Sequence, residues 1–157
     1  MNERRERLLA DLESALERLS EALSAPKTDL NRDASIQRFE FSFELFWKAL
    51  KLEAEDAGLR AFSPRDAMRA AFQIGLVADS PMPLQMLEDR NRTSHLYKAA
   101  MAEEVYERLP NYLALMRRSA AAVRASNARP LGQDAGRVRI APDFDAPLPD
   151  DVIAEWG

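Results

Sequence analysis

Ile36-Gln37-Arg38-Phe39-Glu40-Phe41-Ser42-Phe43-Glu44-Leu45-Phe46-Trp47-Lys48 is the stretch that decides the fold of this chain. Ile36, Phe39, Phe43, Phe46, Trp47 and, just beyond, Leu50 recur at helical intervals, which places them on one face of an α-helix. Phe41, Leu45 and Leu52 fall on the far side and form a second, smaller apolar patch. A helix apolar on two faces is central in a bundle, or its second face meets a partner chain. The pattern predicts a helix over 33–57, with Gly58 as the left-handed residue that ends it.

Working outward, the same period appears on both sides. Leu8, Leu12, Ala15, Leu16, Leu19 and Leu23 predict a first helix from about Glu3 to Leu23, stopped by Ser24-Ala25-Pro26. Ser63 as N-cap, Pro64 at the first helical position and Asp66 at the third open a third helix that stops at Gly75. Asp79-Ser80-Pro81 opens a fourth, expected to run through Arg90 to about His95. A fifth is expected from about Ala99 to Arg124, kinked or divided at Pro110. No segment alternates like a strand before Arg137-Val138-Arg139-Ile140. The expected fold is all-α: an antiparallel four- to five-helix up-and-down bundle with an extended C-terminal tail.

Composition bounds what such a bundle can do. The chain has 157 residues, the length of about one domain. It holds one histidine, His95, and no cysteine. A disulfide framework, a thiol nucleophile and an iron–sulfur cluster are excluded, and a zinc site lacks its usual ligands. We expect neither metal nor cofactor. No apolar run approaches the ~20 residues of a membrane span. The charged start Met1-Asn2-Glu3-Arg4-Arg5-Glu6 does not read as a signal peptide, so a cytoplasmic location is the expectation. The net charge of −4 is unevenly placed. Residues 126–157 carry three Arg against five Asp and one Glu, leaving residues 1–125 at −1. The two parts read as a bundle over 1–125 and a Pro- and Asp-rich acidic tail over 126–157. The tail pairs Asp143/Asp145 and Asp150/Asp151 read as solvating charges rather than metal ligands.

No phosphate-cradling glycine loop and no Gly-x-Ser-x-Gly elbow is present. Chemistry concentrates in Glu88-Asp89-Arg90-Asn91-Arg92-Thr93-Ser94-His95-Leu96-Tyr97. If the fourth helix continues through it, Arg90, Asn91, Ser94, His95 and Tyr97 share the packed side with Pro83, Leu84, Met86 and Leu87. Gln85, Glu88, Asp89 and Arg92 then face solvent. Two readings stand open. In one, these polar groups form a satisfied core network, with Glu40 or Glu44 pairing Arg90. In the other they line a cleft where Arg90 binds a phosphate and His95 moves protons. Those two groups suffice for RNA cleavage without a metal, because the 2′-hydroxyl is the nucleophile. A single His per chain would be doubled by dimerisation, which suits the patch of Phe41, Leu45 and Leu52.

Together with Ser63-Pro64-Arg65, the two quoted stretches resemble the nucleotidyltransferase substrate-binding proteins of the HEPN superfamily. The resemblance covers about residues 5–124. The spacing of Arg90, His95 and Tyr97 is similar to that of HepT-type toxins, which are encoded beside a minimal nucleotidyltransferase antitoxin. The resemblance implies a homodimeric ribonuclease with Arg90 and His95 in the cleavage site and Asn91 as the polar residue that often follows the Arg; Ser94 and Glu40, from the helix-face and charge-pair readings above, are the other supporting candidates. It also implies Tyr97 as the acceptor of AMP added by the antitoxin. It leaves a second reading, a non-catalytic subunit that binds nucleotide or substrate for a nucleotidyltransferase. Beyond residue 126 the chain departs from this pattern. Gly136 to Ile153 resembles the partner-binding segment of antitoxins that wrap PIN-domain toxins.

Overall fold

The computed structural model describes residues 3–128. They form α1 (Glu3–Ser24), α2 (Asp29–Asp56), α3 (Pro64–Gln73), α4 (Met82–Arg92), a 3-10 turn (Thr93–His95) and α5 (Ala99–Asn127). Among the described residues there is no strand. The expected helical bundle is what forms. The strand-like stretch from Arg137 to Ile140 and the PIN-binding reading of the tail lie outside the described residues.

α2 is the central element and contacts α1, α3 and α5. Its Phe39, Phe43, Phe46 and Leu50 are buried. They meet Leu9, Leu12, Leu16 and Leu19 of α1 and Val105, Leu109, Tyr112 and Met116 of α5 in one core. In α1 it is Leu9, rather than Leu8, that is fully enclosed, so the buried stripe is turned slightly from the expected one. Trp47 is only partly buried, at the edge of the core face.

Three boundaries differ from expectation, each for a local reason. α2 begins at Asp29, because Thr28 caps it by accepting a hydrogen bond from the Asn31 N–H at 3.0 Å. That first turn is exposed, with Leu30 turned to solvent, so no apolar period announces it. α5 runs unbroken through Pro110 rather than dividing there. Pro110 lies on the exposed side, where water can serve the carbonyl that loses its donor. α4 ends at Arg92 instead of continuing to His95.

Gly58 and Gly75, both at φ +78°, close α2 and α3 in the same way. In each case the next residue's N–H reaches back into the helix, Leu59 to the Ala54 carbonyl and Leu76 to the Ala71 carbonyl, both at 2.8 Å. α3 starts on the expected cap, with the Asp66 N–H donating to Ser63 Oγ at 3.2 Å. The Phe62 N–H donates in turn to the Asp66 carboxylate at 3.2 Å. No described helix is long and apolar enough to cross a membrane.

Candidate functional site

The end of α4 is held by its sequence and by α5. Pro83, Met86 and Leu87 of α4 are buried, and so is Asp89. Asp89 is 1% exposed and is the centre of a polar network. Arg108 Nη1 donates to both of its carboxylate oxygens at 2.9 Å, and the Tyr112 hydroxyl donates to Oδ2 at 2.5 Å. Arg92 adds a longer contact at 3.5 Å and reaches Glu104 at 3.4 Å. The Tyr112 ring stacks on Phe39 of α2 with centroids 5.6 Å apart. Burial, then the hydrogen bond to Asp89, pushes the Tyr112 phenol well above its ordinary value, so it stays a donor. One tyrosine thus ties α4 to α5 and α2.

This corrects the expected placement of the polar residues. Asp89, assigned to the solvated side, is buried, whereas Leu84, assigned to the packed side, is exposed. With Arg90 at zero, the enclosed positions Asp89, Thr93, Met86, Pro83 and Leu87 span roughly −100° to +60°. The expected arc was centred roughly 70° away. The cause is α5, whose Arg108 and Tyr112 approach on the Asp89 side.

Arg90 is the one member of the expected cluster that is half-buried; Asn91, Ser94, His95 and Tyr97 are exposed. Arg90 Nη2 donates to Glu44 Oε1 of α2 at 3.5 Å, and Nη1 to Thr93 Oγ1 at 3.5 Å. Both contacts are long, and Arg90 Nε is enclosed with no hydrogen-bond partner among the described residues. The guanidinium is therefore positioned but only loosely satisfied, leaving donor capacity for an anion. Glu44 also accepts from Trp47 Nε1 at 3.2 Å and lies 3.8 Å from Lys48 Nζ. Glu40 is half-buried on the same helix and makes no bond to Arg90. Of the two expected carboxylates, Glu44 is the partner.

His95 and Tyr97 leave the α4 face because the helix tightens at Thr93. The Thr93 hydroxyl donates to the Arg90 carbonyl at 2.7 Å, and its N–H serves the Arg90 and Asp89 carbonyls. A β-branched residue bonding back to its own helix competes with the next α turn, and a 3-10 turn follows. Leu96 then leaves helical geometry at φ −82°, ψ 45°. His95 projects from this turn and Tyr97, 84% exposed, follows it. Among the described residues no group of three or more His, Asp or Glu could hold a metal ion.

Asp89, Thr93, Arg108 and Tyr112 were missed as parts of the site. A signal existed: Pro83, Met86, Arg90 and Thr93 repeat at three, four and three residues, which marks the true buried stripe and puts Asp89 at its edge. Trp47, read as core, is also part of the site's border through Glu44.

The second apolar patch is partly open. Phe41 is 60% exposed, while Leu45 and Leu52 are partly buried. Phe41 and Leu45 line a groove of about 320 Å³ with Arg18 and Arg38.

Comparisons with known proteins agree on the architecture. A probable ribonuclease HepT of Haemophilus influenzae is 31% identical over 84 residues, half of this chain and 58% of that relative. A crystal structure from Thermus thermophilus is 38% identical, with TM-score 0.68, covering 72% of this chain and 98% of its own. A structure from Haemophilus influenzae, described as revealing the fold of a substrate binding domain of a nucleotidyltransferase, is 24% identical. Its TM-score is 0.67, over 74% of this chain and 98% of its own, and it bears on the fold alone. The family described as nucleotidyltransferase substrate binding protein like matches residues 6–125, so the end of α4 just described, with Arg90, His95 and Tyr97, lies inside the matched region. The chain belongs to the nucleotidyltransferase substrate-binding protein-like family.

Proposed function

We propose that this chain is a homodimeric ribonuclease, the toxin of a toxin–antitoxin pair whose antitoxin is a minimal nucleotidyltransferase. The observation that carries the reading is the underused guanidinium of Arg90, held in the last turn of α4, with an exposed His95 five residues on and an exposed Tyr97 seven residues on. The relative described as a probable ribonuclease supports it. In this reading Arg90 binds the scissile phosphate. The 2′-oxygen attacks phosphorus and its proton passes to one His95, and the bond to the 5′-oxygen breaks. The His95 of a second copy supplies the proton that the 5′-oxygen takes up. The products are a 2′,3′-cyclic phosphate and a 5′-hydroxyl. Asn91 and Ser94, exposed beside Arg90, bind the same strand. The exposed Phe41, with Leu45 beside it, provides apolar surface for the dimer.

In the same reading the antitoxin silences the chain at Tyr97, whose exposure makes its hydroxyl accessible. Its oxygen attacks the α-phosphate of ATP, pyrophosphate leaves and the phenolic proton is released. The bound AMP then adds a negative charge to the segment that follows Arg90 and His95, which disfavours binding of RNA phosphate there. The test is cleavage of RNA by the wild-type chain and by Arg90→Ala and His95→Ala. A mass gain of one AMP on Tyr97, with the nucleotidyltransferase and ATP present, tests the silencing.

A second reading is a non-catalytic subunit that presents a nucleotide or other substrate to the nucleotidyltransferase. The family's own description favours it. Under it, the purified chain cleaves no RNA yet forms a stable complex with the transferase.

A further inference from the structure

Glu44 links Arg90 to a second feature that the site does not use. Its carboxylate faces Arg90 with one oxygen and Trp47 and Lys48 with the other. Trp47 and Lys48 in turn line a groove of about 830 Å³ between α1 and α2. Lys51, one turn further along α2, and Arg7, on α1, line it as well, together with Leu8 and Leu52. Arg7 makes no ion pair among the described residues, and Lys51 is held only by a 3.7 Å contact to Glu55. The acids Glu3 and Glu55 also line the groove, on the first turn of α1 and the last of α2, and Asp11 lines it about two turns further along α1.

We propose that this groove is the track of a single-stranded RNA that runs from Arg90 along α2, an extension that rests on the ribonuclease reading. Three features argue for that occupant. Lys48 and Lys51 lie one helical turn apart on α2, and Arg7 lines the groove from α1, so cations border it on both helices where a phosphate backbone would run. Trp47 stands among them and offers a stacking surface that any base can use. The stretch of α2 from Glu44 to Glu55 rises about 16 Å, longer than one nucleotide, so the groove suits a strand rather than a free nucleotide. Its contact with Arg90 through Glu44 delivers that strand to the phosphate-binding guanidinium. When RNA enters, its phosphate replaces Glu44 on Arg90, and Glu44 retains Trp47.

The experiment uses the full chain carrying His95→Ala, so that RNA is held without being cut, and a fluorescent unstructured oligoribonucleotide. Anisotropy is followed across a salt series. Arg7→Gln with Lys51→Gln is expected to lower affinity at least tenfold at low salt. The slope of log affinity against log salt should fall by about 1.4, because two strand-phosphate contacts are lost. Trp47→Ala weakens binding, Trp47→Phe restores it and Trp47→Leu does not, since leucine keeps apolar volume without a stacking face. Arg65→Gln with Arg69→Gln removes the same charge from the exposed face of α3 and should leave affinity unchanged. Melting curves confirm that each variant is folded. Unchanged affinity in the groove variant, or an equal loss in the α3 variant, overturns the proposal. So does a groove variant that alters protease cleavage of residues 129–157 but not RNA affinity, since the acidic tail would then be the occupant. Cleavage by the wild-type chain is read separately. RNA held in the groove but never cut keeps the track and removes the ribonuclease reading; RNA cut normally by the groove variant does the reverse.

Discussion

The Tyr112 hydroxyl donates to the Asp89 carboxylate at 2.5 Å, and this bond fastens the last turn of α4 to the middle of α5. Arg108, one turn earlier on α5, donates to both oxygens of the same carboxylate. Removing the acid leaves the buried Tyr112 hydroxyl without its acceptor, while Arg108, about a third exposed, can turn to water. Asp89→Ala should therefore cost about 2–3 kcal/mol of stability, and Tyr112→Phe about 1–2 kcal/mol. Urea denaturation of both variants measures this. Equal, small losses would mean that the network does not hold the helix end.

Glu44 competes with any anion for Arg90. The pair is long and partly exposed, so Glu44→Gln should change stability by less than about 1 kcal/mol. It should also raise RNA affinity several-fold, because glutamine keeps an acceptor for Trp47 but no longer neutralises the guanidinium. Unchanged or weaker RNA binding by the variant would show that Arg90 does not meet the phosphate.

Burial pushes the Glu53 carboxyl up from its ordinary 4.5, against the pull of Arg5 3.0 Å away. The folded chain thus holds this proton more tightly than the unfolded chain does. The resulting stability is fully present below the unfolded value and is lost as pH rises through the folded one. Glu53→Gln is neutral throughout, so its stability relative to wild type should rise as pH climbs above the ordinary 4.5. Thermal melts across that range check the sign. A difference that falls with pH would mean that the Arg5 pair outweighs desolvation.

Gly58 and Gly75 each sit at φ +78° with nothing within 4 Å of where a Cβ would be. Alanine there meets strain without collision, at about 1–2 kcal/mol per site. The double variant should lose close to the sum in a denaturation experiment, since the two turns share no partner.

The helices of the bundle were largely legible in the sequence because apolar period, caps and stop signals agreed for α1, α3 and most of α2. The first turn of α2 was hidden because its stability comes from the Thr28 cap and not from burial. The site was legible in its residues and not in their arrangement. Arg90 and His95 stood out as chemistry. Extending an ideal helix through Thr93 turned His95 and Tyr97 inward, and only the threonine's bond back to Arg90 explains why they face out. The role of Asp89 depended on where α5 crosses, which its own helix does not encode. Glu44 was legible as a partner for Arg90, because both helices presented a complementary charge beside an apolar face.

Cleavage of RNA by the purified chain tests the central claim most directly. With a labelled RNA substrate, the wild-type chain should produce fragments ending in 2′,3′-cyclic phosphate. His95→Ala should reduce the rate by about 10²–10⁴-fold while leaving a folded protein, the range expected when a general acid–base group is lost. Full cleavage by His95→Ala, or none by the wild-type chain freed of AMP on Tyr97, would contradict the account.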